Sequence, residues 1–192
     1  MIGTSKTLLI LSAFLASILT NLSPAKAVNL IKNGSFDNGL SQSQWLLLGN
    51  VGISTYDAYR TIQAIGISSS EPFLVTFNSG NTIPSGSISQ TISTIAGQKY
   101  VLSFLYGNYR SPGLSIGTQS IKVDILDSSN ASLVSQIIID PTGSNNLGNI
   151  LSSYSLSFIA TSNQTIIKFS DTSFETDGID GFLDNINVTP AP

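Results

Sequence analysis

The 192-residue sequence predicts an all-β fold, an antiparallel sandwich or barrel, on three observations. From Ser85 onward apolar residues recur at period two, which puts them on one face of an extended chain. Gly, Pro, Asn and Ser punctuate these runs at intervals suited to turns. No comparable stretch carries the stripe of an amphipathic helix.

Taken in order, the chain opens with MIGTSKTLLILSAFLASILTNLSPAKA: one lysine, an apolar run from Leu8 to about Leu19, then small residues ending Ala25-Lys26-Ala27. That is the layout of a secretory signal with an A-x-A cleavage site, so residues 1–27 are read as a signal peptide and the mature chain as starting at Val28. The apolar run is short of the ~20 residues that a membrane span needs. "PFLVTF" reads as a weak strand. "SISQTIST" puts Ile88, Gln90 and Ile92 on one face, and "QKYVLSFLYG" does the same for Tyr100, Leu102, Phe104 and Tyr106. "SIKVDILD" alternates Ile121, Val123 and Ile125 with Lys122 and Asp124, and "SYSLSFIAT" sets Tyr154, Leu156 and Phe158 against serines. With the weaker runs "SLVSQIIID", "QTIIKFSD" and "GFLDNINVT", nine or ten strands fit one domain over residues 28–189, apolar inward and polar outward. Residues 107–119 and 140–149 read as long loops, the usual carriers of binding. Residues 190–192 read as the start of a tail or linker.

Composition excludes several functions. Without the signal, six basic residues face eleven acidic ones, a net charge of −5, so nucleic acid is excluded as a partner that Lys and Arg would have to neutralise. There is no cysteine, hence no disulfide, and no histidine. Serine-histidine and cysteine-histidine catalysis are therefore out of reach.

Five carboxylates crowd into "DTSFETDGIDGFLDN", residues 171–185. A metal site, an acid/base pair and a solvated loop all account for them. Alternation in "GFLDNINVT" places Phe182, Asp184, Ile186 and Val188 on one face and Leu183, Asn185 and Asn187 on the other. A carboxylate on an apolar face is costly unless paired or bound to a metal. Calcium (Ca2+) suits it, because it takes oxygen ligands and needs neither His nor Cys. An EF-hand does not fit: from Ser173 the loop has Ser in place of the first acid and Asp in place of the bidentate Glu, and its flanks read as strand. Solvated loop is the reading for Asp171, Glu175 and Asp177, while Asp180 stands between loop and ligand.

"NLIKNGSFDNG" at the mature N-terminus resembles the opening of galactose-binding-like jelly-roll domains, as found in carbohydrate-binding modules of families 4, 9 and 22 and in the DUF642 cell-wall proteins. "ISQTISTIAGQKYVLSF", "YSLSFIATSNQTIIKFSDTS" and "GFLDNINV" follow in the order of DUF642-like domains. Similar domains occur in exported bacterial proteins with a PEP-type sorting anchor, of which "TPAP" shows no continuation. The DUF642 cysteines are missing, which favours a bacterial relative. The resemblance implies a β-sandwich of jelly-roll type with a structural calcium between the N-terminal segment and the last strand. By position, Asp37 would replace the family's Glu and Asp184 would match its C-terminal acid.

In such modules aromatic rings stack on sugars. Tyr109 and Arg110, in a polar Gly/Pro-rich loop, are the first candidates, with Trp45 and Tyr106 behind them and Tyr56 and Tyr59 as further rings. Trp45 adjoins a leucine run and Tyr106 continues a core face, so both also read as core. The expectation is an exported, non-catalytic, soluble module at the cell surface or in extracellular matrix, with polysaccharide or cell-envelope glycan as its partner. An adhesive surface protein without a sugar site, and a carboxylate-based glycosidase, are the alternatives.

Overall fold

The protein is described here by a computed structural model covering residues 28–39, 44–55, 62–64, 73–78, 85–110, 118–139, 149–174 and 179–192. The side chains of 55, 62–64, 109, 110, 149, 150, 179 and 180 are outside the described set. The signal expected over residues 1–27 likewise lies outside the described residues.

The described residues form eleven strands and no helix: β1 (Leu46–Leu48), β2 (Val51–Thr55), β3 (Ile62–Ala64), β4 (Phe73–Phe77), β5 (Ser87–Ser93), β6 (Lys99–Arg110), β7 (Ser120–Asp127), β8 (Ser132–Ile139), β9 (Asn149–Ile159), β10 (Gln164–Asp171) and β11 (Ile179–Pro190). They make a five-stranded sheet ordered β1-β5-β10-β7-β8 and a six-stranded sheet ordered β2-β4-β11-β6-β9-β3. Neighbours pair antiparallel except β3, which runs parallel to β9. The two sheets stack as a β-sandwich of jelly-roll type.

Period two explains the stacking. Ile88 and Ile92, Ile121, Val123 and Ile125, and Ile167 and Phe169 turn inward from the smaller sheet. Tyr100, Leu102, Phe104 and Tyr106 meet them from the larger one, and Phe104 packs edge-on against Phe169 at a centroid distance of 5.0 Å. Ser153, Ser155 and Ser157 of β9 lie on the solvent side, where hydroxyls keep their water and cost nothing. Gln90 is the polar exception on the inward face of β5. Its amide receives the N–H of Lys32 and donates to the same residue's carbonyl, at 2.8 and 2.9 Å, so it pairs with the N-terminal segment as a peptide group would.

That segment lies against β11. Leu30 N–H donates to Val188 O, Ile186 N–H donates to Gly34 O, and Asn29 Oδ1 accepts from Val188 N–H. Ile31 and Phe36 are thereby buried in the core. The attachment depends on an irregularity in β11. Asp184 pairs with Leu105 and Asn187 with Ser103, so Asn185 and Ile186 together oppose one residue of β6. Asn185 takes φ 51°, a left-handed conformation that asparagine tolerates better than most residues. The bulge corrects the face assignment made from alternation. Leu183, Ile186 and Val188 enter the core between the sheets, whereas Phe182 and Asp184 belong to the outward side of the larger sheet.

Three short strands, β1 to β3, were not expected, and β6 continues to Arg110 where a loop was expected from residue 107. Its end is held on both sides, by Asn108 opposite Ile150 and Arg110 opposite Ile179.

Asp127 closes the turn between β7 and β8. Its Oδ1 accepts from Ser129 N–H at 2.8 Å, Ser129 Oγ at 2.6 Å and Ala131 N–H at 2.9 Å. These donors, the Ser129 hydroxyl first, hold its carboxyl below the ordinary 3.8. A lowered folded-state value contributes stability that is present above the unfolded value and lost as pH falls through the folded one. Asp127→Ala should therefore lower the melting temperature at neutral pH and leave it unchanged in strong acid. A carboxyl-carbon NMR titration should place Asp127 below 3.8, and a midpoint at or above that value would refute the account.

Candidate functional site

Strand register gathers one set of chain turns at one end of the sandwich. Ser120 pairs with Ile139, Asp171 with Ile121, Asn108 with Ile150, Arg110 with Ile179 and Phe77 with Gly181. The strand ends that flank residues 79–84, 111–117, 140–148 and 175–178 are thus neighbours. Tyr109 and Arg110 stand on the last two positions of β6, and Asp180 pairs with Tyr109 across the ladder. The side chains of these three lie outside the described residues, as do Tyr56 and Tyr59 altogether.

The other two candidate rings do not face solvent. Trp45 is fully buried, its ring tilted against Phe36 at 5.7 Å, and its indole N–H donates to Asn33 O at 3.2 Å. Tyr106 is also buried, with its hydroxyl directed at Gly181. A ring with no free face cannot stack on a sugar, so both are core residues.

Beneath the strand ends lies a buried polar layer that sequence reasoning missed. Gln119 and Asp171, from the smaller sheet, are the next inward positions after the apolar alternation of β7 and β10. Asn108 follows Tyr106 inward from the larger sheet, and Asn78 comes directly after β4 at φ 65°. Asn78, Asn108 and Gln119 are fully or almost fully buried. Ser173 ties the layer together: its hydroxyl accepts from Ser120 N–H at 3.1 Å and lies 2.6 Å from Asp171 Oδ1 and 2.8 Å from Gln119 Oε1. Ser173 N–H also donates to Asp171 Oδ1, at 2.9 Å. Burial raises the Asp171 carboxyl above its ordinary value, opposed by the Ser173 hydroxyl and N–H and by the nearby Asn78 amide. The reading of Asp171 as a solvated loop residue is therefore replaced. The missed signal was the alternation in "QTIIKFSD" carried two residues past Phe169.

The carboxylates picked as calcium ligands occupy a different place. Asp184 is 0% exposed, and Asn185 N–H donates to its Oδ1 at 2.6 Å. Asp37 is exposed and accepts from the Ser35 hydroxyl at 2.7 Å. Gly34 abuts Ile186, so "NGSFD" lies alongside the β11 bulge. This is the side of the fold on which a site shared by Asp37 and Asp184 would have to form, and a buried carboxylate is a fitting ligand. Among the described residues no three acidic side chains converge as a metal cluster, so backbone or amide oxygens would have to complete the six to eight that calcium takes. An ion there would screen the buried charge and tie the N-terminal segment to the last strand.

Among solved structures the chain is similar to the carbohydrate-binding module TmCBM61 in complex with beta-1,4-galactotriose, at 19% identity and TM-score 0.60, over 86% of this chain and 100% of that one. The cleaved adhesin domain of Lys-gingipain from Porphyromonas gingivalis matches at 12% identity and TM-score 0.55, over 82% of this chain and 96% of that one. The enzymatically active domain of bacteriophage CBA120 tailspike protein 4 matches at 16% and 0.55, over 85% of this chain and 22% of that one. At these identities the likeness is one of fold. No family model matches the chain, and no curated protein matches it. Among the described residues no helix is long and apolar enough to cross a membrane.

Proposed function

We propose that this domain is a non-catalytic carbohydrate-binding module that acts outside the cell, on polysaccharide or cell-envelope glycan. Tyr109 and Arg110 are its contact residues in this proposal. The observation that carries the reading is the convergence of the loop-bearing strand ends on β6, with Tyr109 and Arg110 at its tip, in a sandwich like that of a whole carbohydrate-binding module. The absence of His and Cys from the sequence agrees with a binding role. Export through residues 1–27, kinship with bacterial DUF642-like surface proteins, and a structural calcium at Asp37 and Asp184 belong to the same proposal; Asp180, four strand positions from Asp184 and opposite Tyr109, is too far along β11 to share that ion.

The test is retention of the purified protein on a polysaccharide array that includes β-1,4-galactan. Binding to at least one glycan is expected. Tyr109→Ala and Arg110→Ala should each weaken it by about tenfold, the equivalent of ~1.4 kcal/mol, with the melting temperature unchanged. No binding to any glycan, or binding indifferent to both substitutions, would overturn the proposal. An adhesive role is the second reading, favoured by the burial of Trp45 and Tyr106, which removes two of the expected sugar-stacking rings.

A further inference from the structure

We infer that the open edge of β8 is a self-association surface: it pairs antiparallel with β8 of a second copy of this chain, across a two-fold axis at Ile137, so that two five-stranded sheets become one of ten strands. The inference depends neither on sugar binding nor on a metal.

A sheet edge is a row of backbone N–H and C=O groups with no strand to take them, and folded proteins blunt such edges by keeping them short, charged, or broken by Pro or a bulge. The described residues contain four edge strands, β1 and β8 of the smaller sheet and β2 and β3 of the larger. β1 and β3 are three residues long, and β2 is five with a glycine at its second position. β8 differs: it has eight residues, SLVSQIII, without a charge, Pro or Gly. Among the described residues it pairs with β7 alone. Its irregularity falls at Leu133, which leaves Val134–Ile139 as a regular ladder whose alternate residues direct their backbone groups away from β7. Ser135, Gln136, Ile137 and Ile139 are all exposed, the two isoleucines by 56% and 60%.

A second copy fits this edge for reasons of symmetry and charge. A strand that meets its own copy across a two-fold perpendicular to the sheet sets each residue opposite one of the same face, so open backbone groups meet open backbone groups without further adjustment. Such a contact must also tolerate like opposite like, and an uncharged strand has nothing to repel itself. Ser135, Ile137 and Ile139 stand on the outer face, opposite Asp124, Lys122 and Ser120 of β7. With the axis at Ile137, that residue faces its copy and Ile139 faces Ser135. The exposed isoleucines of both copies then gather into one strip of β-branched cross-strand neighbours, which leaves water. Charges beside the strip are already matched, since Lys122 pairs with Asp124 at 3.0 Å and the Ser135 hydroxyl donates to Asp124 at 2.7 Å. Ile139 lies at the same end of the sandwich as Tyr109 and Arg110, and antiparallel pairing turns these ends of the two copies in opposite directions. On the glycan reading, and only on it, the dimer is a two-ended module that bridges separate glycan chains.

Sedimentation equilibrium on the purified chain, from about 1 μM to about 1 mM, should show a reversible monomer–dimer equilibrium, weak because one strand makes a small interface. Ile137→Glu should weaken it by about tenfold or more, because two carboxylates then face each other. Within each copy Lys122, opposite Ile137, receives the new charge, so the melting temperature of the dilute variant should match wild type. The chain has no cysteine, so Ile137→Cys supplies a lone thiol that meets its copy with Cα atoms ~4.5–5.5 Å apart, within disulfide reach. Under oxidant it should form a covalent dimer far faster than Ile95→Cys, at a residue 70% exposed between β5 and β6. A chain that stays monomeric throughout would overturn the inference. So would a dimer indifferent to Ile137→Glu, or an Ile137→Cys variant that cross-links no faster than Ile95→Cys. All three measurements are made without glycan, so their outcome is separate from that of the sugar-binding test.

Discussion

Substitution of Gly34 by alanine should detach the N-terminal segment from the last strand and destabilise the domain by ~3–5 kcal/mol, from overpacking and the loss of buried apolar area. A Cβ on Gly34 would collide with the carbonyl oxygen of Ile186, a backbone atom with no side-chain freedom to retreat. The two residues can separate only by breaking the Ile186 N–H to Gly34 O bond and loosening Leu30 from Val188. Ile31 and Phe36 would then leave the core. For a domain of this size the expected fall in melting temperature is roughly ten degrees. Gly39→Ala and Gly97→Ala are the controls. Both glycines have positive φ, at 72° and 82°, and nothing within 4 Å of an added Cβ, so alanine there meets only backbone strain of ~1–2 kcal/mol. If Gly34→Ala falls no further than these controls, close packing of the segment on β11 is not what holds it. Faster hydrogen exchange at the Leu30 and Ile186 amides would locate the damage.

Trp45→Ala should cost about as much, ~3–5 kcal/mol, the usual range for removing a buried aromatic. The ring fills the space beside Phe36, and its N–H bonds Asn33 O within a turn where Asn33 and Phe36 both have positive φ, 52° and 59°. Phenylalanine is a poor host for the left-handed region, so the contact with Trp45 helps to hold a conformation that the turn resists. Trp45→Phe keeps a ring and loses the hydrogen bond, at a cost nearer ~1 kcal/mol plus the volume difference. Chemical denaturation followed by circular dichroism separates the two, since the chain's one tryptophan is the residue removed. Near-wild-type stability in Trp45→Ala would mean that the ring is not core. Glycan binding by Trp45→Phe should match wild type, because the ring has no free face.

From Ser85 onward the sandwich could be read directly, because side chains alternate strictly wherever a ladder is regular and one face is buried. Legibility failed where that condition failed. β1 is three leucines, with Leu46 and Leu48 exposed and Leu47 packed on the core, so hydrophobicity could not tell inside from outside. β3 is three residues long and pairs with β9, far away in sequence. The burial of Asp184 was predictable, whereas its face was not, because one left-handed asparagine reversed the parity beyond it. Tyr106 continued a core pattern and belonged to it. Trp45, beside a leucine run, could be read as core, whereas the turn at Asn33–Gly39 that it packs on could not, because local pattern does not reveal it. The polar layer was hidden because it is assembled from residues at the ends of four strands, each of which alone resembles the beginning of a loop.

The position of β11 bears on how the domain comes together. The last strand in sequence sits third from one edge of the six-stranded sheet, between β4 and β6. Until it arrives, β4 and β6 have no common neighbour, and the N-terminal segment has nothing to lie against. A nascent chain released up to β10 can complete the smaller sheet but leaves the larger one as two unjoined pieces with open inner edges, the kind of surface that invites aggregation. Folding of the domain is therefore expected to wait for β11, and to be slow, since its decisive pairings join distant parts of the chain. The domain closes when β11 joins the two pieces of the larger sheet and brings the N-terminal segment into place.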